Sequence, residues 1–168
     1  MKSWCVPILT PLFLKRMEAI LHLYQQPYDP QRPMVNFDEQ SVQLLDHVRP
    51  PAPARPGQAR REDYAYKRKG TRNLFVFVEP KAGYRQVIVT QHRTKADFAY
   101  AMRYLVDVLY PDAVMIDVVL DNLNTHHYHS LVEQFGKVEA DHLMRRLCFH
   151  CTPPHGSNMA EIGLSGLS

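Results

Sequence analysis

The sequence predicts an α/β domain, a mixed β-sheet with helices on its faces. Three observations carry that prediction. Short runs of β-branched and aromatic residues crowd residues 34–91, spaced as antiparallel neighbours are. One strong amphipathic helix follows, over residues 94–110. The apolar run "VMIDVVLD" then alternates with helical stretches and a last strand, the order expected of a sheet covered by helices. At 168 residues the chain suffices for one domain with a real core.

The N-terminal "MKSWCVPILTPLFLKR" pairs Lys2 with an apolar stretch, as a signal peptide would. Pro7 and Pro11 break that stretch, and no small-residue cleavage site comes after it, so it is not read as one. It is also too short to span a bilayer. In "RMEAILHLY", Met17, Ile20, Leu21 and Tyr24 fall at helical spacing, predicting a short amphipathic helix. The prolines of "QQPYDPQRP" end it.

"MVNFDE" predicts a strand over residues 34–38, and "QLLDHV" a further short strand or helical turn. "RPPAPARPGQARR" is too rich in proline and arginine for core structure and predicts an extended, exposed loop. "YAYKRKG" and "NLFVFVEP" read as two strands separated at Gly70 and Thr71, and "RQVIVTQ" as a third. The helix over 94–110 starts at a capping box formed by Thr94 and Asp97. Phe98, Met102, Leu105, Val106 and Leu109 share its apolar face, and Pro111 stops it. "VMIDVVLD" is a buried strand; short helices come next, near residues 130–135 and 138–146. "LCFHCT" is the last strand, and "SNMAEIGLSGLS" begins a helix with Ser157 as N-cap.

Composition narrows function little. A net charge of +3 permits a polyanionic partner without requiring one. Three cysteines, Cys5, Cys148 and Cys151, do not make a secreted disulfide framework, so the expected compartment is the cytoplasm. No Ser-His-Asp or Cys-His nucleophile pattern stands out, and there is no glycine-rich phosphate loop.

The chemistry concentrates at strand ends. Asp38 ends one apolar run and Asp121 another, while Glu161 sits one turn into the last helix. Converging carboxylates are hard oxygen donors suited to Mg²⁺, and two ions so held can clamp an in-line phosphoryl displacement. Spacing alone favours solvated strand-end carboxylates over a metal site. Asp117 shares the parity of Asp121 but lies about 13 Å away along the strand, too far for a shared metal, and is read as the strand entrance. Glu39 faces away from Asp38 if the strand continues.

"NFDEQ", "VVLDNLNTHH" and "TPPHGSNMAEIGLSGLS" together resemble the three signature segments of a DDE superfamily transposase catalytic domain, in the bacterial insertion-sequence branch related to mariner elements. "PYDPQRPMVNFDE" and "NLFVFVEPKAGYR" resemble the intervening sequence of that branch, so the resemblance runs from about Arg16 onward. It implies a ribonuclease H-like fold, a mixed five-stranded sheet flanked by helices. It implies Asp38, Asp121 and Glu161 as the catalytic acids, holding two Mg²⁺ (or Mn²⁺) ions. Asn122 and His126 match the family's Asp-Asn-x3-His, with an accessory part in placing metal or phosphate. The implied activity is DNA strand cleavage at the ends of an insertion sequence and strand transfer into a target duplex; a homodimer is a candidate assembly.

The organisation expected from the resemblance has two parts. Residues 1–30 are a linker and helix, the remnant of a region next to a missing helix-turn-helix DNA-binding part. Residues 31–168 are a catalytic domain truncated at its C-terminus. Gly163 and Gly166 fall in the last two turns, each costing roughly 0.5–1 kcal/mol against alanine. An inactive fragment that binds DNA without cutting it is the alternative expectation. A zinc-stabilised binding module is a further one, since Cys148-x2-Cys151 lies near His126, His127, His129, His150 and His155. In a strand, however, residues i and i+3 face opposite sides, so both thiolates cannot reach one ion, and Cys148 reads better as a small buried hydrophobe. Arg49, Arg55, Arg60, Arg61, Lys67, Arg68 and Lys69, with Tyr64 and Tyr66 interleaved, form a basic stretch suited to DNA phosphates or simply to solubility.

Overall fold

The computed structural model describes residues 10–49, 53–61, 65–121 and 127–152. Its largest feature is a long antiparallel hairpin of β1 (Met34–His47) and β2 (Tyr66–Glu79), paired from Asn36 opposite Val78 to His47 opposite Tyr66. The sequence suggested two short pieces on each side; each side is one continuous strand. The ladder survives because a bulge absorbs its irregularity. Leu44 faces Gly70 and Leu45 faces Arg68, leaving Lys69 as the extra residue. Gly70 takes φ +111°, a conformation strained for any L side chain, so the glycine carries the strand through the bend instead of ending it.

β3 (Tyr84–Thr90) pairs with β2 and forms one edge. The chain then crosses through α2 (Lys95–Tyr104), whose start is the expected capping box: Asp97 N–H donates to Thr94 Oγ1 at 3.2 Å, and Thr94 N–H to Asp97 Oδ2 at 2.8 Å. The predicted single helix ends instead in a π-helical turn, Leu105–Leu109. There Tyr110 turns inward, and its hydroxyl donates to the buried Glu79 carboxylate at 2.7 Å. β4 (Ile116–Leu120), α3 (His127–Phe135), α4 (Lys137–Met144) and β5 (Leu147–Cys151) complete the chain's described part.

The sheet order is β3-β2-β1-β4-β5, with β1, β4 and β5 parallel and β2 antiparallel to both of its neighbours, β1 and β3. This is the mixed five-stranded sheet flanked by helices. One face packs Val35, Phe37, Phe75, Phe77, Val118 and Leu120 against Phe98, Met102 and Leu105, with Leu131 and Leu143 from α3 and α4. Each such side chain, fully buried, contributes roughly 1.5–3 kcal/mol. Phe37 sits at the centre of the aromatic contacts, 5.2–5.7 Å from the rings of Phe75, Phe77 and Phe98.

The opposite face belongs to α1 (Pro11–Gln25). This helix begins earlier than its apolar spacing predicts. Thr10 caps it, accepting from Phe13 N–H at 3.1 Å, and Pro11 occupies the first turn, where its missing N–H costs nothing. Met17 and Leu21, placed on its apolar stripe by sequence, are exposed, and Phe13 is the buried residue. Tyr24 donates to Asn36 Oδ1 on β1, and Lys81 Nζ donates to the carbonyls of Leu23, at 3.1 Å, and Gln26, so the helix end is tied to the sheet by polar groups. Among the described residues no helix is long and apolar enough to cross a membrane.

Candidate functional site

β1 and β4 run parallel with Met34 beside Asp117, Val35 beside Val118 and Asn36 beside Val119. Continued two residues past its last pair, that register would set Asp38 beside Asp121. Neighbouring strands lie about 4.8 Å apart, and residues of equal parity point to the same face. Both aspartates therefore belong to the α1 face, Asp121 just past the carboxyl end of β4 and Asp38 within β1 beside it, and both are half-buried. Asp38 does not end its strand, as the sequence suggested. Pairing with β4 ends at Asn36, while pairing with β2 carries β1 eleven residues further, to His47. The result is a place where one strand passes on and its neighbour stops.

Asp38 Oδ1 accepts the backbone N–H of Glu39 at 2.8 Å. Glu39 faces the helical side, as expected from alternation: its side chain is 10% exposed and lies 3.6 Å from Arg93. Burial raises its carboxyl to about 6 against the pull of Arg93, with Asp38 pushing in the same direction as burial. Of the remaining predicted acids and accessory groups, Glu161, Asn122 and His126 lie outside the described residues, as does the helix predicted to start at Ser157. Arg49, Arg55, Arg60, Arg61, Lys67, Arg68 and Lys69 are all exposed, on the far half of the β1–β2 hairpin and its connection. Lys69 lies 3.3 Å from Asp46 on the facing strand.

The other end of β4 holds a second polar cluster. Asp117 is buried, and Arg32 grips it in fork geometry, Nε to Oδ2 at 2.6 Å and Nη2 to Oδ1 at 3.1 Å. His150 Nε2 donates to Oδ1 at 2.8 Å. Burial would raise the Asp117 carboxyl; the hydrogen bonds from His150 and Arg32 outweigh it and hold the group at about 2. Cys148, paired in register with Asp117, is half-buried on this same face and not the enclosed hydrophobe expected; burial and the Asp117 charge push its thiol up. Cys151 is in register with Leu120, on the helical face, so the two cysteines do face opposite sides. Sequence reading placed Asp117 correctly at the strand entrance but did not join it to Cys148 and His150. The readable signal was their spacing, two residues apart on one strand and hence on one face.

The family model for DDE superfamily endonucleases matches residues 33–164. Among solved structures, the fold is similar to that of the Mos1 mariner paired end complex with Mn, at TM-score 0.51 and 16% identity, covering 98% of this chain and 52% of that one. The Mos1 strand transfer complex gives TM-score 0.50 and 16% identity, over 98% and 51%. A pre-cleavage Mos1 transpososome gives TM-score 0.50 and 16% identity, over 98% and 52%. At that identity the likeness is one of fold, and the chain spans about half the length of those chains. A comparison with curated proteins finds no match.

Proposed function

The chain belongs to the DDE superfamily of endonucleases, and from that premise we propose that it is the metal-dependent DNA-cleaving and strand-transfer domain of an insertion-sequence transposase. The observation that supports this reading is the parallel β1–β4 register, which ends at Asn36 and Val119 and, continued two residues, leads to Asp38 and Asp121 at equal parity. Carboxylate oxygens are the hard donors that Mg²⁺ or Mn²⁺ takes, so the donor set fits a divalent ion. Asp38, Asp121 and Glu161 would hold two ions, with Asn122 and His126 placing metal or phosphate beside them. Bound there, the ions supply activation of a water or 3′-hydroxyl nucleophile and stabilisation of the leaving oxygen.

The chain's own groups do the rest. Glu39 turns to the helical side and stays out of the donor set. The exposed arginines and lysines of the hairpin hold duplex DNA by its phosphates, fixing its position without reading its sequence. The substrates are element ends and a target duplex, and a homodimer would bring two such edges to two ends. Residues 1–30 act as the linker from a DNA-binding part, and 31–168 as the catalytic domain. Half-buried free thiols at Cys148 and Cys151 suit the reducing cytoplasm of a bacterium.

The test is Mn²⁺- or Mg²⁺-dependent nicking of supercoiled plasmid by the purified chain. Nicking that requires the metal and disappears in Asp121→Asn supports the reading. Salt-sensitive DNA binding without cleavage, unchanged by Asp38→Asn, replaces it with a non-catalytic DNA-binding remnant.

A further inference from the structure

We infer that Asp117, Cys148 and His150 form a zinc site at the amino-terminal end of β4, separate from the Asp38–Asp121 edge. The candidate ligand atoms, a carboxylate oxygen, Sγ and an imidazole nitrogen, all lie within 4.8 Å of one another. The sheet itself creates this closeness. Cys148 is in register with Asp117 across β4 and β5, and His150 stands two residues later on the same face.

The donor chemistry selects the ion. A thiolate, an imidazole and a carboxylate suit tetrahedral zinc and are too soft a set for magnesium. Asp117 and His150 also line a cavity of about 490 Å³ under α1, bordered by His22 and Lys81, which provides access and room for water as a fourth ligand. Arg32 holds Asp117 Oδ2 through Nε at 2.6 Å and reaches Oδ1 less closely through Nη2 at 3.1 Å, so Oδ1 is the oxygen that can turn to the ion. His150 hydrogen-bonds Oδ1; with zinc bound, both groups would turn to the ion, and Arg32 would orient the carboxylate from outside. The thiol proton leaves to solvent as the zinc–sulfur bond forms. Thiolate and carboxylate then balance the ion's two charges, so the neighbouring guanidinium is not opposed by an uncompensated cation.

The site does not depend on the endonuclease reading. The experiment is dialysis of the EDTA-stripped full chain against Zn²⁺ in excess Mg²⁺, with elemental analysis, and then Co²⁺ substitution read by thiolate-to-cobalt absorption. One zinc per chain is expected, with a cobalt–thiolate band that persists in Cys151→Ser and is lost in Cys148→Ser. Zinc affinity should fall by about 10–100-fold or more in Cys148→Ser and His150→Ala, and Asp121→Asn should keep its zinc. Circular dichroism checks that each variant is folded; if His150→Ala is not, the Cys148→Ser band decides. Wild-type protein that retains no zinc overturns the site and leaves an Arg32–Asp117–His150 ion-pair group. So does zinc or a cobalt–thiolate band that survives Cys148→Ser.

Discussion

Asp117 and Asp121 stand at the two ends of one strand, on one face, about 13 Å apart. Asp117 is buried, gripped by Arg32 and His150, and set deep in the acid range at about 2. Asp121 is half-buried at the carboxyl end, beside a strand that continues past it. The same side chain in the same strand thus meets two environments. The entrance position is bound up with neighbours that neutralise it, whereas the exit position is half-buried where β4 stops and β1 runs on. What separates them is their surroundings: the 26–33 segment sets Arg32 against one end, and at the other β1 parts from β4 and continues with β2.

The largest effect should come from removing charge at the exit. Asp121→Asn is expected to lower metal-dependent nicking by about 10³-fold or more, roughly 4 kcal/mol of transition-state stabilisation, while its melting temperature stays close to wild type. Asp117→Asn should do the reverse, lowering stability while nicking by the folded fraction persists. Parallel plasmid-nicking and thermal-melting measurements check this. Equal damage to both properties by both variants would break the contrast between the two ends.

The second effect is stability at the entrance. The low Asp117 carboxyl corresponds to about 1–2 kcal/mol at neutral pH, allowing for screening of the half-exposed Arg32. A carboxyl lowered on folding stabilises above its unfolded value, here 3.8, and the contribution fades as pH falls from there towards 2. In chelator-treated protein, the difference in urea stability between wild type and Asp117→Asn should hold from pH 7 to about 4.5 and close below it. A gap that stays constant down to pH 2 would mean that Asp117 acts through packing and not through charge.

How far these two ends were readable depended on how local their signals are. β4, β5 and α2 carry their patterns within a few residues, and alternation placed Asp121 at a strand end and turned Glu39 away from Asp38. The errors came where a residue's usual meaning was overridden by its neighbours. Pro11 looked like a breaker but starts α1 from a position where its ring fits. Gly70 looked like a boundary but carries a bulge inside β2. The Arg32–Asp117–Cys148–His150 group needed the β4–β5 register, a contact between residues some thirty positions apart, which no local pattern encodes.

A third prediction leaves both ends intact and tests the hairpin. Lys67→Ala with Arg68→Ala should reduce the salt dependence of duplex binding by a log–log slope of roughly 2, since each phosphate contact contributes about 0.9. Filter binding across a salt series measures it. The melting temperature should not move, because both side chains are exposed. An unchanged slope would remove the hairpin as the DNA-holding surface and leave the exit carboxylates without an adjacent phosphate clamp.

The smallest effect isolates what makes the entrance pair matter. Asp46 and Lys69 form an ion pair at 3.3 Å with both side chains more than half exposed, at 56% and 52%. Arg32 is equally exposed in its own pair, and only the carboxylate differs, 3% exposed at Asp117. An exposed carboxylate is already solvated when unpaired, so its partner adds little. Asp46→Asn should therefore cost under about 0.5 kcal/mol in urea unfolding, with no dependence on pH between 2 and 7 beyond that of wild type. A loss as large as that of Asp117→Asn would show that pairing, not burial of the carboxylate, sets the strength of both bridges.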